Sequence, residues 1–69
     1  MITLNQIQER LAEAISQSGM TQTKLANLLN IKPTQISSYL HGRKMPALDT
    51  FANLCKILDV DANEILGIK

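Results

Sequence analysis

At 69 residues the chain has room for one domain, 1–69, since a chain of this size buries only roughly 60% of the surface its unfolded form exposes. Its 45% hydrophobic content is mostly Leu, Ile and Ala; Tyr39 and Phe51 are the only aromatic residues, which disfavours stacking single-stranded nucleic acid on an aromatic platform. Cys55 stands alone, so no internal disulfide can form, and the net charge of +1 leaves the partner's sign open. No apolar run approaches a membrane span and no signal peptide is present, so a cytoplasmic location is expected.

Helical spacing dominates, without repeats, low-complexity tracts or an alternating run long enough for a strand. Thr3 with Gln6 three residues on makes a capping box for a first helix. Leu4, Ile7, Leu11, Ala14 and Ile15 then share one face, Gln8, Glu9, Arg10 and Glu13 lie largely away from it, and Gly19 ends the helix. Thr21 caps a second helix running to about Leu29, with Leu25, Leu28 and Leu29 facing in and Ala26 small enough for close helix approach. Asn30 suits a left-handed turn position, and Ile31 plugs the turn.

Pro33 suits the first position of a third helix, because the N–H it lacks would have no partner there. Lys32 is then a weak cap, with Gln35 placed to reach back to its N–H. This helix runs to about Leu40, with Ile36 and Leu40 toward the core, and Gly42 stops it. Arg43-Lys44-Met45-Pro46 forms a basic loop. A fourth helix spans about Leu48 to Leu58 on a stripe of Leu48, Phe51, Leu54, Cys55 and Leu58, and in that setting Cys55 is a small buried hydrophobe. Asp61 with Glu64 is a second capping box, opening a last short helix through Leu66 before Gly67.

Charge is unevenly spread. Residues 20–46 hold Lys24, Lys32, Arg43 and Lys44 and no acid; no Asp or Glu occurs between Glu13 and Asp49. A one-sided basic surface can bind phosphates even when the total charge nearly cancels. Two short helices across a tight turn, at about 21–41, with a polar basic second helix, suit insertion into the DNA major groove.

The pattern T-Q-x-x-L-A from Thr21, an apolar pair and a turn, then I-S-x-Y-L-x-G-R-x-x-P from Ile36, resembles the lambda-repressor-like helix-turn-helix family, also called the Xre type. The likeness continues through LDTFANLCKILDVDANEILG and covers about residues 5–67. It implies an all-α, compact five-helix DNA-binding domain whose second and third helices form the motif. By resemblance, Gln22 bonds a DNA phosphate and braces the recognition helix, whose front and outer face carry Lys32, Pro33, Thr34, Ser37 and Ser38. His41, Arg43 and Lys44 fall where the family contacts backbone phosphates.

Lys32 can donate to guanine O6 and N7, and Gln35 can either bond an adenine or cap the helix. Several relatives hold a base-reading glutamine where Pro33 stands, so the operator is this chain's own. Tyr39 reads as a residue at the core's edge with a wet hydroxyl. His41 fits a helix cap and a DNA contact equally well. Met20 and Met45 read as gap fillers, Lys24 and Asn27 as solvated.

The expected function is a sequence-specific double-stranded DNA-binding regulator, of phage or bacterial repressor type, on a near-palindromic operator. A homodimer would place two recognition helices one turn apart, about 34 Å. Its surface is expected at Ile65, Leu66 and Ile68, at least one of which also belongs to the core. The alternative is an antitoxin or adaptor whose main partner is another protein, though the Lys, Thr, Ser and Ser at the front of the third helix favour DNA. No catalytic residues, cofactor, metal or small-molecule ligand are expected, because one Cys and one His on different helices build no site.

Overall fold

The computed structural model describes residues 1–68. It is all-helical, with α1 at Leu4–Gln17, α2 at Gln22–Leu29, α3 at Pro33–Leu40, α4 at Leu48–Leu58 and α5 at Ala62–Leu66. No strand occurs among the described residues.

Local signals account for these boundaries. Thr3 Oγ1 accepts the Gln6 N–H at 3.3 Å, and Gln6 Oε1 accepts the Thr3 N–H at 2.8 Å, so the first capping box is reciprocal. Thr21 Oγ1 accepts the Lys24 N–H at 3.1 Å to open α2. At α5 the Asp61 carboxylate accepts the Asn63 N–H at 2.9 Å, one residue earlier than the Glu64 N–H that a capping box would use.

Four of the five helices end in the same reversal. A residue of positive φ (Asn30, Gly42, Asp59 or Gly67) follows the helix, and the next N–H reaches back to a carbonyl five residues earlier. These bonds are Ile31 to Ala26 at 3.0 Å, Arg43 to Ser38 at 2.9 Å, Val60 to Cys55 at 3.0 Å and Ile68 to Asn63 at 3.0 Å. Asp59 in the left-handed region was not signalled by composition.

α3 packs against both α1 and α2, while α1 also meets α5 and α2 meets α4. The core is Leu11, Ile15, Leu25, Ala26, Ile36, Tyr39, Phe51, Leu54, Cys55 and Ile65. Ala26 is fully buried, consistent with close approach at a residue that has no side chain beyond Cβ.

Three expected core leucines lie outside. Leu4 and Leu48 are 59% and 85% exposed. Each opens its helix, and side chains tilt toward the helix N-terminus, so they project past the packed turn. Leu28 is 54% exposed. At 3.6 residues per turn it lies roughly 100° from the centre of the Leu25–Ala26–Leu29 face, because Ala26 draws the buried stripe to its own side.

Candidate nucleic-acid interface

One face of α3 is fixed and the other is open. Ile36 and Tyr39 are buried, whereas Lys32, Pro33, Thr34 and His41 are exposed and Gln35, Ser37 and Ser38 half-exposed. Tyr39 belongs to the scaffold, only 4% exposed, and burial pushes its phenol above the ordinary value. Gln22 is exposed at the first position of α2, immediately after the Thr21 cap. Arg43 and Lys44 are exposed in the α3–α4 link, which half-buried Met45 and Pro46 hold down.

Hydrogen bonds set what the half-exposed side chains can offer. Lys32 has no acceptor and makes no side-chain cap; instead Gln35 Oε1 accepts the Lys32 N–H at 3.2 Å. Ser38 donates its hydroxyl to the Thr34 carbonyl at 3.1 Å, which leaves its oxygen as an acceptor. His41 Nδ1 lies 2.8 Å from the Ser37 carbonyl, and a carbonyl only accepts, so Nδ1 carries the proton. Capping at His41 thus uses Nδ1 and leaves Nε2 open.

Gln8 was not singled out from the sequence. It is half-buried on α1, and its Nε2 donates to the Gly42 carbonyl at 3.3 Å, tying α1 to the turn that carries Arg43. Its place beside Ile7, at the edge of the apolar stripe, was the available signal.

Two residues along α1, Arg10 Nη1 donates to the Glu64 carbonyl at 3.1 Å, fastening α1 to α5. Of the three residues expected at a dimer surface, Ile65 is in the core, Leu66 is half-buried against it and Ile68 is 70% exposed. No group of three or more potential metal ligands occurs among the described residues. No helix among them is long and apolar enough to cross a membrane.

A family model described as a helix-turn-helix domain matches residues 8–67. The chain belongs to the helix-turn-helix family. Comparison with curated proteins found no match, and neither did comparison with solved structures. The match is consistent with the Xre-type resemblance and places α2 and α3 within the matched segment. Helix-turn-helix membership points to a DNA-binding regulator.

Proposed function

We propose that this chain is a sequence-specific double-stranded DNA-binding transcriptional regulator, a repressor that acts by occupying its operator in the cytoplasm. One observation carries the reading: the open face of α3 and its exit loop combine Lys32, Arg43 and Lys44 with small polar side chains and no acid, on a helix packed against α1 and α2. Cations there neutralise phosphates, and short side chains let the helix backbone approach base edges. In this reading Lys32, Pro33, Thr34, Gln35, Ser37 and Ser38 face the groove, while Gln22, His41, Arg43 and Lys44 hold the backbone on either side.

In this reading the domain acts by binding DNA, without catalysis. One eight-residue helix makes few base contacts, so two copies bind a near-palindrome about 34 Å apart. Ile68, with the exposed edge of Leu66, supplies part of the apolar surface for that pairing.

Selection of bound duplexes from a random library by the purified chain at moderate salt tests the proposal. A recovered palindrome with half-sites about one helical turn apart supports it. Folded protein that enriches no motif moves the function to a protein partner.

A further inference from the structure

A free glutamine can face a base as donor and acceptor together. Its paired bond to adenine needs Oε1 to accept from N6 while Nε2 donates to N7. Gln35 is not free in this sense, because its Oε1 already accepts the Lys32 N–H at 3.2 Å. Only the amide oxygen can accept an N–H, so chemistry fixes the amide's orientation. The group is planar; turning its oxygen back onto the helix start directs the NH2 away from it, and the paired adenine geometry is lost.

The start of α3 favours this arrangement. Lys32 has no side-chain acceptor to cap the helix, and Pro33 occupies the first helical position. The Gln35 amide thus serves the donor that precedes the helix. Lys32 and Gln35 also line one open surface notch, together with Asn30 and Ile31. With the Gln35 oxygen engaged, both side chains carry hydrogens to donate: three on the ammonium and two on the amide nitrogen.

Resting on the DNA-binding reading above, we propose that Lys32 and Gln35 form a donor-only pair that selects guanine in each operator half-site. Guanine alone offers two acceptors, O6 and N7, on its major-groove edge. Adenine and cytosine set an amino group against these donors, and thymine offers one acceptor beside a methyl group.

The test uses the full chain and the duplex it selects from a random library. The half-site is expected to contain a guanine whose replacement by adenine, or by 7-deazaguanine, weakens wild-type binding about tenfold. Gln35→Glu separates reading from capping. Its carboxylate still accepts the Lys32 N–H and suits a helix N-terminus, so the thermal midpoint holds or rises. Its NH2 is gone, and the added charge weakens all duplexes alike, so the expected result is a lower ratio of guanine to adenine affinity. Lys32→Ala lowers the same ratio.

A half-site that prefers adenine, or a guanine preference unchanged in Gln35→Glu, would overturn the donor-only pair and leave DNA binding standing. Failure of the folded wild-type chain to retain any duplex at low salt would overturn the regulator reading, and the pair with it.

Discussion

α2 and α3 are both eight residues long and pack against each other, yet they begin in opposite ways. α2 opens on a threonine whose hydroxyl caps the helix. α3 opens on a lysine that cannot; Gln35 Oε1 accepts the Lys32 N–H, but no side chain caps the first turn itself. The buried-faced α2 has its capping residue, whereas α3, the groove-facing helix of the proposal above, has a cation at the cap position. A Ser, Thr or Asn at such a position contributes about 1 kcal/mol relative to Ala, so the arrangement of α3 sacrifices local stability for what its front presents.

The contrast can be broken most severely from the core, where the two helices are alike. Leu25→Ala and Ile36→Ala, both fully buried, should each destabilise the fold by about 2–5 kcal/mol in urea unfolding. Leu28→Ala, half in solvent, should cost within about 0.5 kcal/mol, and a core-sized loss there would return Leu28 to the buried stripe.

Next in size is Lys32→Ser, which should act with opposite signs on two readouts. Gaining a capping hydroxyl should raise stability by about 1 kcal/mol. Losing the ammonium should cost about 1–3 kcal/mol on the best operator and relax its preference. Thr21→Ala is the mirror experiment: it should lose about 1 kcal/mol of stability while the ranking of duplexes stays unchanged.

Smaller still, Arg43→Ala should weaken all duplexes similarly and lower the slope of log K against log salt by about one. An unchanged slope would remove Arg43 from the phosphate contacts.

The last prediction concerns the scaffold alone. Burial, reinforced by the negative charge of Asp61, raises the Cys55 thiol above its ordinary value, and burial does the same to the Tyr39 phenol. The unfolded chain therefore releases these protons at lower pH than the fold does. Stability is held below the ordinary thiol value, about 8.5, and declines as pH rises through it, with Tyr39 adding to the loss from about 10. Urea midpoints measured from neutral to alkaline pH should fall accordingly, and Cys55→Ala should delay the onset.

Much of the fold is legible in the chain because its punctuation is local. Thr3 with Gln6, Thr21, Asn30 and Gly42 each mark an end through bonds to residues a few positions away, and Pro33 marks one by the N–H it lacks, so no tertiary knowledge is needed. Burial is different. Leu4, Leu28 and Leu48 satisfy the helical period but lie past the end or to the side of their packed faces, which depends on where the neighbouring helices sit.

The candidate interface divides in the same way. Which side chains stand on the open face of α3 follows from spacing. What each can donate depends on bonds such as Gln35 to Lys32, His41 to Ser37 and Gln8 to Gly42. The first two close within a helical turn, and sequence left each with two readings. The third joins residues 34 positions apart: spacing puts Gln8 at the edge of the apolar stripe but does not name its partner.

The repeated helix ending also bears on time. Each of the four reversals closes between residues five apart, so much of the topology is encoded at short range. Helical bundles dominated by local contacts fold in microseconds to milliseconds. Ribosomes add about 5–20 residues per second, so making the chain takes seconds. Each copy should reach its working shape almost as soon as it is released, and the lag before a regulated promoter responds would then follow the synthesis rate rather than maturation of the protein.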